Sequence, residues 1–164
     1  MSLLEIAEWL EATGIARWVQ ESQYGFAIVV AVHILGLTLS VGTLIWFDLR
    51  LLGVSMLRIP VSHLYRRLMP WTLTGFAVMF ISGAIILAAY ATAAYGNLYF
   101  RIKAFALLLA GVNAFVYHRV TERQIARWDE ARLPSMPARM AGLVSIVVWS
   151  VVILAGRMMS YTMF

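Results

Sequence analysis

The sequence predicts an all-α fold, namely an integral membrane four-helix bundle with a short amphipathic N-terminal interfacial helix. Three observations carry this prediction: 62% of the 164 residues are apolar, only 13% are charged, and the mean hydropathy is +0.82. Such values lie outside the range of soluble globular proteins. Apolar runs recur along the whole length, so we expect one four-helix transmembrane domain over residues 1–164.

Four spans can be placed between charged residues, since a helix needs about 20 mainly apolar residues to cross a bilayer. The apolar runs predict spans at about 24–47, 71–92, 100–119 and 140–161, of which the first two are free of charged residues and the fourth contains Arg157 near its far end. In the third interval the stretch Ala104–Tyr117 is too short, so Lys103, His118 or both must lie inside the span. Each span is expected to be helical, because lipid offers the backbone no hydrogen-bond partners.

The distribution of basic residues predicts the orientation. Four spans place both termini on one side of the membrane and the segments 48–70 and 119–139 on the other. These two segments hold nine of the thirteen basic residues: Arg50, Arg58, Arg66, Arg67, Arg119, Arg123, Arg127, Arg132 and Arg139. The positive-inside rule then makes both segments cytoplasmic and both termini periplasmic or outside, in a bacterial inner (plasma) membrane. Orientation and the lipid bilayer explain the net charge of +5, and no nucleic acid partner is expected.

Residues 2–23 predict the N-terminal helix. Ser2 and Glu5 form a capping-box pattern, and apolar residues lie opposite the acidic ones. Trp9 and Trp18 are residues that favour the membrane interface. This pattern fits a helix lying on the outer membrane surface, and a lead-in to the first span fits it equally well.

His33 is the most informative residue. It lies inside Tyr24–Phe47, where no other side chain is charged near neutral pH. At about 1.5 Å per residue, the imidazole is about 15 Å from the outer end of its helix, near the membrane midplane. An ionisable group at that depth favours a functional role, here binding a cofactor or a proton, over a packing role.

Three cations are predicted near the outer end of the bundle, above His33. Lys103 and Arg157 lie about three to five residues inside their spans, and Arg101 lies just outside. Haem b fits this arrangement, because a neutral imidazole can bind the iron and basic residues can pair with the propionates. We therefore predict His33 as the metal ligand and His33, Arg101, Lys103 and Arg157 as the cofactor-binding residues. Snorkelling of each cation to the interface is the simpler alternative, but it does not explain His33.

The second axial ligand stays open. His118 lies about 12 Å from the level of His33, which disfavours a bis-histidine pair. Met79, Lys103, a five-coordinate iron and a ligand from another subunit remain as alternatives. His63 lies among arginines of an inner segment and is expected to be solvated, and His118 is expected to end its helix. The absence of cysteine excludes iron–sulfur clusters, thiolate metal sites and covalently attached c-type haem.

Three sequence stretches carry a resemblance: HILGLTLSVGTLIWFDLRLLG at 33–53, MPWTLTGF at 69–76 and FRIKAFALLLAGVNAFVYH at 100–118. They resemble a family of uncharacterised four-helix bacterial membrane proteins. The arrangement is more distantly similar to the membrane-type protoporphyrinogen oxidase and copper-resistance protein D families. The oxidases have an early histidine, a lysine that begins a later helix, and a Tyr-His pair that ends it, which His33, Lys103 and Tyr117-His118 match. That resemblance implies haem at His33 and a role for Lys103.

The function predicted from these observations is that of a membrane-embedded b-type haem protein in electron transfer. It would be a redox subunit or a quinone-linked cytochrome b, working with a partner dehydrogenase, a quinone or a second copy of the chain. A porphyrinogen- or quinone-linked oxidoreductase is the enzyme alternative. A non-catalytic membrane scaffold or a metal-handling protein is the alternative from another class. Copper handling would need several methionines along one path, and the nine methionines are scattered.

Overall fold

The computed structural model describes residues 2–121, 128, 129, 131 and 133–163. Two short N-terminal helices are followed by four long helices, with one short helix after the second long one. The helices are α1 (Leu3–Glu11), α2 (Gly14–Glu21), α3 (Gly25–Leu52), α4 (Val61–Ala89), α5 (Ala91–Gly96), α6 (Leu98–Val116) and α7 (Met136–Met163). A π-helical turn, Tyr117–Thr121, continues α6.

The all-α fold with four membrane-spanning helices is confirmed. Among the described residues, α3, α4, α6 with its continuation to Arg119, and α7 are long and apolar enough to cross a membrane. Helix α4 begins at Val61, well before the predicted start of the second span, so Pro70 lies inside the helix. Lys103 and His118 both lie inside the third membrane-spanning helix, as its short apolar stretch requires.

Helices α3 and α4 form the closest pair because glycines let their backbones touch. A Cβ atom at Gly36 would lie 2.8 Å from the amide nitrogen of Met79, and one at Gly75 would lie 2.5 Å from that of Ser40. Next to this crossing the hydroxyl groups of Thr43 and Thr72 are 2.7 Å apart. Small residues at a crossing allow close packing in a membrane, where the hydrophobic effect does not drive helices together.

The four long helices pack in the order α4, α3, α7, α6, with the extensive contacts between neighbours in that order. The middle of the core is a cluster of buried residues from all four helices: Val41, Met79, Ala106, Val148, Trp149 and Val152. Helices α4 and α6 are the outer members of the row and lack an extensive mutual interface. One side of the bundle is therefore open between them.

The N-terminal helices pack against the end of the bundle where α3 begins and α4 ends, which is the end that the sequence predicts to be the outer one. The predicted capping box is present, with Ser2 N donating to Glu5 Oε2 at 3.0 Å and Glu5 N donating to Ser2 Oγ at 3.2 Å. The Glu11 carboxylate accepts hydrogen bonds from the Thr92 amide at 2.8 Å and the Thr92 hydroxyl at 2.7 Å. Gln20 Nε2 donates to the carbonyl oxygen of Ala89 at 2.5 Å. Residues 2–21 are thus two helices joined to the bundle by hydrogen bonds.

At the opposite end, which the sequence predicts to be the inner one, Arg50 holds two chain segments together. Its side chain is fully buried, and it donates from Nε to the Ile59 carbonyl at 2.8 Å and from a terminal nitrogen to the Ala131 carbonyl at 3.1 Å. Gly53 ends α3 in the left-handed conformation, with φ of 76°. Arg50 therefore has a structural role in addition to the topological role that the sequence predicts for it. Arg123, Arg127 and Arg132, which were also assigned to the inner side, lie outside the described residues.

Candidate functional site

The His33 imidazole points from α3 toward α4, where its Nδ1 atom has two partners. Nδ1 lies 2.9 Å from the carbonyl oxygen of Met79 and 3.1 Å from the hydroxyl oxygen of Ser82. A carbonyl oxygen can only accept, so Nδ1 carries the proton in this arrangement. The Ser82 hydroxyl donates its own hydrogen to the Val78 carbonyl, 2.6 Å away. In the neutral ring, Nε2 then keeps its lone pair for a metal or a proton donor.

Gly83 makes room for this ring. A Cβ atom at position 83 would lie 3.0 Å from Cε1 of His33 and 3.4 Å from Nδ1. Any side chain there would press on the imidazole. Gly83, Ser82 and Met79 lie on neighbouring turns of α4, so this one helix fixes both the position of the ring and its hydrogen bond.

Lys103 is the predicted cation that the structure brings to His33. An electrostatic interaction links its ammonium group to the His33 imidazole, and no direct hydrogen bond between the two is seen among the described residues. The lysine side chain lies over Gly156 of α7, where a Cβ atom would be 3.4 Å from Nζ. Lys103 is half-buried between α6 and α7. It can therefore offer a positive charge on the side of the bundle that faces His33.

Arg101 and Arg157 are exposed and bind other partners. A terminal nitrogen of Arg101 donates to the Tyr95 carbonyl at 3.4 Å. Arg157 donates to the Tyr161 hydroxyl at 3.2 Å, and its guanidinium carbon lies 4.9 Å from the centre of that ring. Arg157 directly follows Gly156, the residue that Lys103 covers, so the two cations share a level. Their role toward a cofactor stays a prediction.

The other two histidines lie away from His33. His63 is exposed on α4, two residues after the start of that helix. His118 lies in the π-helical turn at the end of α6, and its ring packs edge-on against the rings of Tyr65 and Tyr117 at 5.8 and 5.6 Å. No group of three or more His, Cys, Asp or Glu residues that could hold a metal ion occurs in the described part of the chain.

Met79 is buried in the core, and its backbone carbonyl is the acceptor for His33. Among the predicted candidates for the second axial position, it is the one whose backbone directly contacts His33. The contact with His33 is made by the backbone carbonyl of Met79 and not by its thioether sulfur. The second axial ligand therefore stays open.

Asp48 is a functional candidate that the sequence prediction missed. It was treated as the boundary of the first span, but its carboxyl group lies inside the bundle and is only 3% exposed. The Ser145 hydroxyl hydrogen-bonds to this carboxyl group. The Oδ2 atom has no hydrogen-bond partner among the described residues. The continuing apolar pattern after Asp48, at Leu49, Leu51 and Leu52, was the signal that the helix extends past this acid.

Asp48 lines a cavity of about 290 Å³, which we call the inner cavity. All four long helices contribute to its wall, and most of the lining is apolar or aromatic. Besides Asp48 the polar lining residues are Thr72, Asn113, Tyr117, His118 and Ser145. Asp48 lies 15 positions after His33 on α3, which is about 22 Å along the helix axis. Neither His33 nor Lys103 lines the inner cavity, although its wall extends along α4 to Phe80, one residue after Met79.

The two sites differ in how well their residues fit a haem. At His33, the Nδ1 hydrogen bond to a carbonyl is the usual support of a metal-binding histidine, and Gly83 leaves space for the ring. The inner cavity fits poorly, because a carboxyl group at its polar end would repel propionates. None of the predicted cations Arg101, Lys103 and Arg157 lines it.

Comparison with known proteins adds the family but no activity. The model of DUF6644, a family of unknown function, matches residues 6–162. No match was found among curated proteins or among solved structures.

Proposed function

Since the chain belongs to DUF6644, a family of unknown function, we propose its activity from the site itself: a membrane-embedded b-type haem protein in electron transfer. His33 would bind the iron through Nε2. One observation carries this proposal, namely the hydrogen bond in which Nδ1 of His33 lies 2.9 Å from the carbonyl oxygen of Met79. This hydrogen bond favours the tautomer with the proton on Nδ1, which leaves the Nε2 lone pair for a metal. It also fixes the orientation of the imidazole ring.

The surrounding residues have distinct tasks in this proposal. The Met79 carbonyl draws on the Nδ1 proton and makes Nε2 a better donor. Lys103 would neutralise one propionate from between α6 and α7, and Arg101 and Arg157 would give up their present tyrosine partners to meet the other. The bound haem would supply a one-electron centre inside the bilayer. The protein would supply the ligand, the charge and the exclusion of water.

A redox subunit in a bacterial inner membrane, with both termini outside, is the setting we propose. The arginines of the 48–70 segment support this orientation through the positive-inside rule. With that orientation His33 belongs to the outer half of the bundle and Asp48 to the inner half.

We also propose that the matches at His33, Lys103 and Tyr117-His118 reflect a distant relationship to the membrane-type protoporphyrinogen oxidases. Electron transfer remains the preferred activity, because the described residues offer His33 a cation but no second acid or base within hydrogen-bond distance of its ring.

The experiment is an absorption spectrum of the protein purified from membranes of cells that make haem. The proposal expects a Soret band that shifts on reduction with dithionite. His33→Ala should lose this band, whereas His63→Ala, which changes an exposed histidine, should keep it. A colourless wild-type protein that retains a metal would instead favour the metal-handling alternative.

A further inference from the structure

The inner cavity opens sideways between α4 and α6, which are the two outer members of the helix row. On α4 its lining residues Leu73 and Phe80 are 58% and 54% exposed. On α6 the lining residues Gly111 and Ala114 are also exposed. These positions lie within membrane-spanning helices, so the opening faces the lipid hydrocarbon. A ligand would enter from the bilayer.

The polar end of the cavity presents an acceptor for a hydrogen-bond donor. The Asp48 side chain is only 3% exposed, and it lines the cavity. Ser145 satisfies part of the carboxyl group, and Oδ2 has no protein donor in the described part of the chain. A buried oxygen left unpaired costs about 1–3 kcal/mol, so a donor from a ligand would stabilise the site.

Aromatic rings form much of the wall beyond this acid. Phe76 and Trp149 are stacked with ring centres 5.1 Å apart and an angle of 26° between planes. Phe47 and Phe80 also line the cavity. Such a wall favours a flat aromatic ligand through ring packing. The ligand implied is therefore lipophilic, aromatic and equipped with a hydroxyl group.

We propose that the inner cavity binds a lipid-soluble quinol, with one quinol hydroxyl donating to Oδ2 of Asp48, the ring among the aromatic residues and the tail leaving between α4 and α6. A lipophilic cation could also meet the carboxyl group, but it would have to be stripped of water in the hydrocarbon. A neutral quinol avoids that cost. A role for this quinol in electron transfer rests on the proposed function, whereas the binding of the quinol to the inner cavity does not.

The test uses the purified full-length protein in lipid nanodiscs and a radiolabelled decyl-tailed benzoquinol in a scintillation proximity assay. The competitors are the unlabelled quinol and its dimethyl ether, which lacks both donors. We expect saturable binding, with the ether at least about tenfold weaker, since a hydrogen bond to a charged or buried acceptor contributes about 1.5 kcal/mol or more. In the Asp48→Leu variant, the affinity for the quinol should fall to the affinity that the wild type has for the ether.

Two glycine variants test the opening. A Cβ atom at Gly111 or at Gly42 meets no atom within 4 Å, so a side chain can begin at either position without a clash at its first carbon. Gly111 lines the cavity and Gly42 does not. Gly111→Leu should therefore weaken quinol binding about tenfold or more, and Gly42→Leu should bind like the wild type. This pair keeps the proposal testable even if Asp48→Leu fails to fold.

Several outcomes would overturn the quinol site. These are the absence of saturable binding, equal affinity of the quinol and its ether for the wild type, equal effects of Gly111→Leu and Gly42→Leu, and displacement by tetraphenylphosphonium at concentrations far below those of the quinol. His33→Ala separates the two proposals, because it should remove the pigment and leave quinol binding intact. Pigment without quinol binding contradicts only the quinol site, and quinol binding without pigment contradicts only the haem assignment.

Discussion

The imidazole of His33 and the backbone of Met79 are joined by a hydrogen bond of 2.9 Å across the α3–α4 interface. Because the acceptor is a backbone oxygen, no side-chain substitution at position 79 removes it. The bond depends instead on the close approach of the two helices, which the glycine contacts at Gly36 and Gly75 permit. Helix packing and the chemistry of His33 are therefore coupled.

Ser82→Ala tests the second partner of His33. The change removes the hydroxyl 3.1 Å from Nδ1 and leaves the Met79 carbonyl in place. We expect haem still to bind, with an affinity about tenfold lower, because groups that orient a metal-binding histidine usually contribute at least that much. The measurement is a haem titration of the apoprotein. Ser150→Ala, on the exposed side of α7, is the control. Equal affinities for Ser82→Ala and Ser150→Ala would show that the hydroxyl has no such role.

Lys103→Met tests the cation near His33 while keeping an unbranched side chain of similar length. Reduction of the haem adds a negative charge, which a nearby ammonium group stabilises. Removal of that group should therefore lower the midpoint potential by about 50 mV or more, since even a unit charge about 14 Å away contributes that much at an effective dielectric constant of about 20. Potentiometric titration measures the shift, and Lys103→Arg, which keeps the charge, should remain near the wild type. A rise in potential in Lys103→Met would contradict the assignment.

Gly75→Val tests the crossing of α3 and α4. Its Cβ atom would meet the Ser40 backbone at 2.5 Å, so the helices would have to separate. Overpacking of this kind costs about 1–3 kcal/mol in the free energy of unfolding. Unfolding in mixed micelles with increasing dodecyl sulfate measures the loss. Gly42→Val, where a Cβ atom meets nothing within 4 Å, should change stability far less. Similar losses in the two variants would refute close backbone contact at Gly75.

Arg50→Met tests the junction at the inner end. The variant leaves the Ile59 and Ala131 carbonyls without their guanidinium donor, and each buried unpaired carbonyl costs about 1–3 kcal/mol. We expect a clear fall in the free energy of unfolding in micelles and faster proteolysis of the segment between α3 and α4. Arg58→Met removes an exposed arginine from the same segment and should be nearly neutral. If both variants have wild-type stability, Arg50 acts only as a topological charge.

Much of the architecture could be predicted from the sequence, because membrane spans depend on length and hydropathy alone. The close contact between Gly36 of α3 and Gly75 of α4 was not predicted, because small residues on a helix favour close packing without specifying the partner helix. The position of Arg50 could not be predicted in this way. A basic residue at the end of a span is ordinarily solvated, and its burial depends on carbonyl groups supplied by distant segments.

Some residues of the candidate site could likewise be predicted from the sequence, and others could not. His33 stands out because its local surroundings are apolar, and Lys103 because its span would otherwise be too short. Asp48 is the first charged residue after a long uncharged stretch, and Arg50 follows two positions later, so charge marks Asp48 as a boundary although the apolar pattern continues to Leu52. Its importance comes from α4, α6 and α7, which together enclose it, and that arrangement depends on helix order rather than on any local pattern.

The most direct test of the central claim is the amount of haem per protein chain, measured by the pyridine haemochrome assay on wild type, His33→Ala and His63→Ala purified in parallel. The account predicts equal haem content in the wild type and His63→Ala, and almost none in a folded His33→Ala protein. Full haem content in His33→Ala would contradict it, because the iron would then be held without the imidazole that Met79 positions.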